Sequence, residues 1–180
     1  IPAVPKIFFK PPSAIVGPGV PIELPACSVR VDHEAELAVV IGERCRNVPE
    51  ARVAEVIEGF TCANDVTARD HQKTDGVFAR AKGFDTFCPL GPDLVSGVDA
   101  SALSVRCWVN GELRQDGHTS DLIFNVPAIV SFVSSIMRLE AGDILLTGTP
   151  SGVSPLHAGD EVCVEIVGVG RLTNPVVMAE

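Results

Sequence analysis

Two glutamates open an otherwise apolar, β-branched segment that runs from Glu34 to Gly42. This composition, closed by a glycine, predicts a strand. Side chains alternate between the faces of a strand, so Glu34 and Glu36 would point the same way, about 6.5–7 Å apart. Converging carboxylates repel each other, and a hard divalent cation would neutralise both; the alternative is a solvated acidic edge. Asp32 would lie on the same face of the strand, but the alternation does not show whether it joins the two glutamates. His33 would lie on the other face and is expected at the surface.

A second polar cluster runs from Asn64 to Gln72. If it forms a helical turn, at about 100° per residue, the side chains of Asp65, Arg69 and Gln72 share one face. Asp65 would then complete a site of three carboxylates. Arg69 would hold an anionic ligand beside the metal, and Gln72 would form a hydrogen bond with that ligand. The alternative is an exposed ion pair between Asp65 and Arg69.

Two more positions lie in segments that suit a ligand site. Lys82 is followed by Gly83 and flanked by apolar residues. Burial beside a cation would lower its pKa and suit it to polarising a carbonyl or holding a carboxylate; the alternative is a solvated loop lysine. Thr149 lies in a turn of small residues after an apolar strand, where hydroxyls and amides can contact a ligand or simply form a turn.

Two amphipathic helices are predicted to flank these segments. Apolar residues recur at helical spacing over residues 49–60, preceded by Asn47 as a possible cap, and over residues 126–138, preceded by Asn125. Residues 104–109 and 112–115 form a predicted hairpin, because the intervening Asn-Gly pair favours the two positive φ angles of a type I′ turn.

The other predicted elements are strands. The proline-rich opening, residues 1–25, is expected to be extended and irregular with short strand pieces such as residues 6–10. Further strands are predicted over residues 143–147, 161–167 and 169–173. Neither a repeat nor a linker is evident, so we predict one mixed, strand-rich α/β domain over residues 1–180.

Composition excludes several classes of protein. The chain has 180 residues, 46% of them hydrophobic, and a mean hydropathy of +0.30, which supports a packed core rather than disorder. Its net charge of −9 argues against a nucleic-acid partner. No apolar run reaches the roughly 18 residues of a membrane span, and no signal peptide is visible. Six cysteines without metal-ligand spacing suggest buried, reduced thiols in a cytoplasmic protein.

In their order and spacing, these motifs resemble the fumarylacetoacetate hydrolase family. The resemblance extends from about residue 7 to residue 176, which is nearly the whole chain. Each motif alone is modest, but the series is specific. The matching strings are Phe9-Lys10-Pro11, His33 to Gly42, Asn64 to Gln72, Lys82 to Thr86, Val109 to Glu112, Glu140 to Ile144 and Thr147 to Pro150.

The resemblance implies a fold, a cofactor and a set of roles. The fold would be a mixed β-roll with two main helices, usually in a homodimer, with Mg²⁺ or Mn²⁺ bound and Ca²⁺ in some members. Asp32 matches a position that the family does not use as a ligand. By position in the motifs, the metal ligands would be Glu34, Glu36 and Asp65, the catalytic residues Lys82 and Gln72, and the substrate contacts Arg69 and Thr149.

The resemblance also implies an activity on small anionic 2-oxo acids and 1,3-dicarbonyl compounds through a metal-stabilised enolate. The motifs look most like those of 2-hydroxyhepta-2,4-diene-1,7-dioate isomerases of aromatic catabolism. Acylpyruvate hydrolase and oxaloacetate decarboxylase are the alternatives, and a metal- and oxoacid-binding module without turnover is the alternative from another class. Hydrolytic members carry a His–Glu pair that acts as the general base, in an N-terminal lid that would precede Ile1. We therefore expect this lid to be absent from the chain.

Overall fold

The segment that carries the two glutamates forms a strand, as predicted, within a structure rich in strands. The computed structural model describes residues 2–180. Its strands, in chain order, are β1 (Ile15–Val16), β2 (Ile22–Leu24), β3 (Val31–Asp32), β4 (Ala35–Ile41), β5 (Ile57–Asn64), β6 (Thr67–Ala68), β7 (Cys88–Val95), β8 (Ser104–Val109), β9 (Glu112–His118), β10 (Ile144–Leu146), β11 (Glu161–Ile166) and β12 (Gly170–Met178).

Two five-stranded sheets contain most of these strands. One has the order β1-β7-β5-β4-β10, and the other has the order β2-β12-β11-β8-β9. Each sheet is antiparallel except at one edge, where β1 runs parallel to β7 and β2 runs parallel to β12. The strands β3 and β6 form a separate two-stranded antiparallel pair. The prediction of a mixed, strand-rich α/β fold is therefore confirmed.

The helices are short. They are α1 (Arg69–Asp75), α2 (Ala79–Lys82) and α3 (Val126–Ile136), with 3-10 turns at Pro12–Ala14, Glu50–Glu55 and Thr119–Asp121. The predicted helix over 126–138 is confirmed as α3, and the Asn125 side chain caps it by accepting a hydrogen bond from the Ala128 amide at 2.9 Å. Among residues 2–180, no helix is both long enough and apolar enough to cross a membrane.

The predicted helix over residues 49–60 is wrong. A 3-10 turn ends at Glu55, and the chain then enters β5, which lies between β4 and β7 in the first sheet. Asn47 does not cap this turn, which begins after Pro49. Of the apolar residues that suggested one face of a helix, Val53 lies in the 3-10 turn, whereas Ile57 and Phe60 lie in β5, which is paired on both sides. Tertiary pairing therefore outweighed the local periodicity. Residues 6–10, predicted as a strand piece, form no strand.

The other predicted strands are confirmed, with shifted ends. The hairpin joins β8 to β9, and its turn residues Asn110 and Gly111 have φ angles of 52° and 79°, as a type I′ turn requires. The predicted strands over 143–147, 161–167 and 169–173 correspond to β10, β11 and β12.

The first sheet carries the acidic segment into the protein interior. Six of the seven residues of β4 are buried, which is typical of a strand covered on both faces. The core that covers it includes Leu37 and Ile41 of this strand, Ile166 of β11 and Val130 of α3, each at most 1% exposed. Side chains at the beginning of β4 are therefore held at the edge of a dry core.

Candidate active site

The three acidic residues predicted to act together do converge. Each offers one carboxylate oxygen, and these oxygens lie within 4.8 Å of one another. Glu34 immediately precedes β4, and Glu36 is the second residue of that strand. Asp65 directly follows the neighbouring β5, and its amide donates a hydrogen bond to the Glu34 carbonyl at 2.9 Å. Their exposed fractions are 7%, 3% and 1%, so the alternative of a solvated acidic edge is wrong.

Lys82 lies against two of these carboxylates. It is the last residue of α2, only 3% exposed, and its Nζ lies 2.7 Å from Glu34 Oε2 and also donates to Asp65 Oδ2. The Phe8 ring covers Nζ, with the ring centroid 5.0 Å away. The alternative of a solvated loop lysine is therefore wrong.

The charge of Lys82 is stabilised by its partners. Burial by itself lowers the pKa of Lys82, but the carboxylates of Asp65 and Glu34 outweigh burial and raise it. The predicted lowering of this pKa assumed a cation beside the lysine, and the protein groups by themselves produce the opposite. Lys82 is thus a buried ammonium that faces the acidic cluster.

Lys10 is a second buried ammonium at the cluster, and no role for it was predicted from the sequence. Its Nζ donates to Asp65 Oδ1 at 2.6 Å and to the Val66 carbonyl at 3.3 Å, and its side chain is 8% exposed. The proline-rich opening therefore contributes a wall of the site. The one feature of the sequence that could have indicated a role for Lys10 is its position in the Phe9-Lys10-Pro11 motif, which matches the family.

Arg69 and Gln72 lie together as predicted, but Asp65 is not on their helix. Arg69 opens α1, and its Nη1 donates to Gln72 Oε1 at 3.1 Å while its Nη2 donates to Glu34 Oε1 at 2.5 Å. Asp65 lies in the preceding connection, four residues before α1 begins. The predicted single helical face is therefore wrong, although Arg69 still contacts Glu34 of the acidic cluster and Gln72 lines the same cavity as Asp65.

Glu36 is the carboxylate without a cationic hydrogen-bond partner among the described residues. Its Oε2 accepts a hydrogen bond from the Gly148 amide at 2.6 Å. Burial and the nearby carboxylates of Asp65 and Glu34 raise the pKa of Glu36 well above its usual range. A buried, unneutralised carboxylate beside two others is the donor set that a hard divalent cation prefers. The residues present therefore fit such an ion.

Thr149 lies beside the cluster, and its hydroxyl already forms two hydrogen bonds within the protein. Its Oγ1 lies 2.8 Å from the Ala35 carbonyl and accepts a hydrogen bond from Gln115 Nε2, also at 2.8 Å. The loop that carries it, Thr147 to Ser151, lines the same cavity as the carboxylates. This hydroxyl thus links the loop to the strand between the two glutamates.

His33 is not at the surface. It is 0% exposed, with Nδ1 2.9 Å from Gln115 Oε1 and Nε2 2.8 Å from Ser154 Oγ. Burial lowers the pKa of His33. The alternation of the strand was predicted correctly, but both of its faces are covered, so the face away from the carboxylates is also inside the protein.

One cavity of about 970 Å³ joins these groups. Its polar part contains the three carboxylates with Lys10, Gln72, Lys82 and Thr149, whereas Arg69 is not among its lining residues and reaches the cluster through Glu34. Its apolar part includes Phe8, Phe78, Leu90, Ile129 and Val133. The cavity thus pairs a charged end with an apolar wall.

Comparison with known proteins gives one family model and a set of close relatives. The model of the C-terminal domain of fumarylacetoacetate (FAA) hydrolase matches residues 1–177. A crystal structure of 2-hydroxyhepta-2,4-diene-1,7-dioate isomerase from Mycobacterium marinum superposes with a TM-score of 0.97 at 53% identity, covering 98% of this chain and 70% of that one.

Two other relatives differ from it in the reaction they are named for. The mitochondrial oxaloacetate tautomerase FAHD1 of Homo sapiens is 43% identical over 175 residues, which is 94% of this chain and 79% of that protein. The structure of maleylpyruvate hydrolase from Sphingobium sp. SYK-6, in complex with manganese(II) and pyruvate, has a TM-score of 0.89 at 39% identity, over 96% of this chain and 64% of that one.

Proposed function

Since this chain belongs to the fumarylacetoacetate hydrolase family, as its motifs predicted, we propose that it is a divalent-metal-dependent enzyme acting on 2-oxo acid or 1,3-dicarbonyl substrates. The observation that carries this proposal is the convergence of three buried carboxylates within 4.8 Å, beside cationic side chains in one cavity. Relatives named as isomerase, tautomerase and hydrolase support an enzymatic role.

In this proposal Glu34, Glu36 and Asp65 hold Mg²⁺ or Mn²⁺. Their oxygen ligands suit both ions, and a relative of known structure contains manganese(II). When bound, such an ion supplies Lewis acidity that favours negative charge on a substrate oxygen. The contacts of Lys82 support the same assignment. Its ammonium group binds the carboxylates of Glu34 and Asp65, which shows that these two side chains already attract a positive charge.

The chain's own cations would bind the anionic end of the substrate. Arg69 does not line the cavity, but it contacts Glu34, which does, and only three of its five N–H donors are used, by Asp32, Gln72 and Glu34. In this proposal the other two N–H donors bind a ligand carboxylate at the Glu34 edge of the cavity. Lys82 retains one of its three N–H groups. These charges matter because the protein carries a net charge of −9 and would otherwise repel an anion.

The reaction that these residues favour is proton movement next to a keto group. Lys82 would hold or transfer a proton at the keto oxygen, and the Gln72 amide would orient that oxygen. Isomerisation of a diene-dioate and tautomerisation of oxaloacetate both require this step, and relatives at 53% and 43% identity carry those names. We propose the isomerase-like reaction, in the degradation of aromatic compounds, as the activity of this chain.

Carbon–carbon bond hydrolysis is the second candidate. A relative named maleylpyruvate hydrolase, with manganese(II) and pyruvate bound, shares 39% identity and supports binding of the same 2-oxo acid end. Hydrolysis needs a base that activates water, in addition to the groups that stabilise the enolate. The two candidates therefore differ in water attack, which isotopic labelling detects.

The test is a turnover screen with Mn²⁺, using oxaloacetate, a diene-dioate and an acylpyruvate. The proposed function predicts that chelation with EDTA abolishes turnover and that Mn²⁺ restores it. Incorporation of solvent deuterium beside the keto group without bond cleavage identifies isomerisation, and ¹⁸O from water in a released acid identifies hydrolysis. Binding of oxalate that depends on Mn²⁺, without turnover of any substrate, identifies a binding module and contradicts the proposal.

A further inference from the structure

Gln115 is a buried side chain that joins the second sheet to the acidic site. It lies on β9, is 0% exposed, and contacts two separate segments of the site. Its Oε1 lies 2.9 Å from His33 Nδ1 and 3.0 Å from the Ala35 amide. Its Nε2 donates to Thr149 Oγ1 at 2.8 Å and to the Pro150 carbonyl at 2.9 Å. Four hydrogen bonds use the full capacity of this amide.

The direction of each hydrogen bond follows from chemistry. The Ala35 amide can only donate and the Pro150 carbonyl can only accept, so the Gln115 oxygen and nitrogen are assigned without ambiguity. His33 must then carry its proton on Nδ1, which leaves Nε2 to accept from Ser154. Thr149 accepts from Gln115 and gives its own proton to the Ala35 carbonyl.

The result is one directional chain of hydrogen bonds, from Ser154 through His33, Gln115 and Thr149 to the Ala35 carbonyl. It ends on the residue between the two glutamates. Residues 33 and 35 lie on the opposite face of the strand from Glu34 and Glu36. Gln115 therefore holds the strand from behind while the carboxylates face the cavity.

The same side chain seats the loop that contacts Glu36. Gly148 donates its amide to Glu36 Oε2 at 2.6 Å, one residue before Thr149. The loop is pressed against β9 closely enough that a Cβ on Gly117 would overlap Pro150. Gly148 is therefore held from two sides. Thr147 before it donates its amide and Oγ1 to the Leu37 carbonyl of β4, at 3.1 and 2.9 Å, and Thr149 and Pro150 after it accept from Gln115 of β9. The attachment to β9 thus fixes the second of the two sides, and with it contributes to the orientation of the Glu36 carboxylate.

We propose that Gln115 is a positioning residue that fixes the Gly148–Pro150 loop against the strand of the two glutamates and thereby orients Glu36 for the cation. This inference rests on the proposed function for the role of the cation, but the placement itself can be measured without one. Partners that orient metal ligands typically contribute about 10- to 100-fold in metal affinity.

The experiment compares two substitutions that remove different halves of the Gln115 amide. Gln115→Met removes all four hydrogen bonds, whereas Gln115→Glu keeps the acceptor for His33 and Ala35 and loses the donor to the loop. In the metal-free protein, we expect hydrogen exchange of the Gly148 amide to be about tenfold faster or more in both variants. The Ala35 amide should exchange faster only in Gln115→Met.

Thr61→Val is the matched control, because Thr61 is a buried polar residue whose Oγ1 has no hydrogen-bond partner within residues 2–180. It should leave both amides and the Mn²⁺ affinity unchanged. Calorimetry should give an Mn²⁺ affinity about tenfold weaker in both Gln115 variants.

Three outcomes are decisive. Exchange at Gly148 equal to that of Thr61→Val in both Gln115 variants overturns the inference. If Gln115→Met does not fold, the same comparison with Gln115→Glu decides. If the unsubstituted protein binds no Mn²⁺, the proposed function fails, and the exchange of Gly148 and Ala35 still decides whether Gln115 positions the loop.

Discussion

Arg69 donates a hydrogen bond from Nε to Asp32 Oδ2 at 2.9 Å, and the Asp32 side chain is only 1% exposed. Arg30 binds the same carboxylate from outside, with Nε 2.9 Å from Oδ1 and Nη2 3.1 Å from Oδ2. The two Nη atoms of Arg69 are thereby turned toward Gln72 and Glu34. Asp32 thus orients the guanidinium that serves the acidic cluster and does not join that cluster.

We expect Asp32→Asn to weaken ligand binding, because it leaves the Arg69 guanidinium without the charge that fixes its Nε. Mn²⁺-dependent oxalate binding should weaken about tenfold, and the free energy of unfolding should fall by about 2 kcal/mol, the size of a lost hydrogen bond between charged groups. Calorimetry and urea unfolding measure the two effects. Asp70→Asn is the control, because Asp70 lies on the same helix as Arg69 but is bonded to Ser28; it should leave oxalate affinity unchanged.

Glu36→Gln separates metal binding from stability. The Glu36 carboxylate is buried beside those of Glu34 and Asp65, and burial with this repulsion raises its pKa. Removing its charge should therefore leave the metal-free melting temperature unchanged or higher. Mn²⁺ should raise the melting temperature of the unsubstituted protein but not that of Glu36→Gln. A metal-dependent shift of equal size in both proteins would contradict the assignment of Glu36 as a ligand.

Residue order and local alternation were enough to predict much of this site. The period of two places Glu34 and Glu36 on one side of β4 whatever the rest of the fold does, and the Asn-Gly pair determines the turn between β8 and β9. Such features depend on neighbours in the sequence, so they can be recognised in the sequence.

The features that could not be predicted depend on contacts between distant segments. The burial of His33 depends on Gln115 and Ser154, which lie 82 and 121 positions away. The apolar spacing over residues 49–60 fits a helix as well as it fits a turn that leads into β5. Only the pairing of β5 with β4 and β7 decides between the two. Lys10 reaches Asp65 across 55 positions, and no local pattern indicates that contact.

The cysteines should differ sharply in reactivity. The prediction of buried thiols is wrong for Cys27, which is exposed, whereas burial raises the pKa values of both Cys62 and Cys107 to about 12. A thiol with so high a pKa has almost no thiolate at pH 8, and thiolate is the reactive form. Iodoacetamide should therefore label Cys27 in the native protein and Cys62 and Cys107 only after unfolding, as peptide mass spectrometry can measure. Native labelling of Cys62 at the rate of Cys27 would contradict the described packing of β5.

Lys82→Met should separate turnover from metal affinity. Lys82 Nζ donates to Glu34 and Asp65, so the lysine and a divalent cation compete for two of the same carboxylates. Removing the ammonium should leave Mn²⁺ affinity equal or higher, because the ion no longer has to displace those hydrogen bonds. Turnover should fall at least about 100-fold, the contribution expected of a group that transfers a proton in the reaction.

Lys73→Met is the control, because Lys73 is an exposed lysine on α1; it should change neither turnover nor Mn²⁺ affinity. Unchanged kcat in Lys82→Met, with Mn²⁺ bound, would remove Lys82 from the catalytic step, whereas a loss of Mn²⁺ binding would show that the lysine organises the carboxylates rather than competing for them.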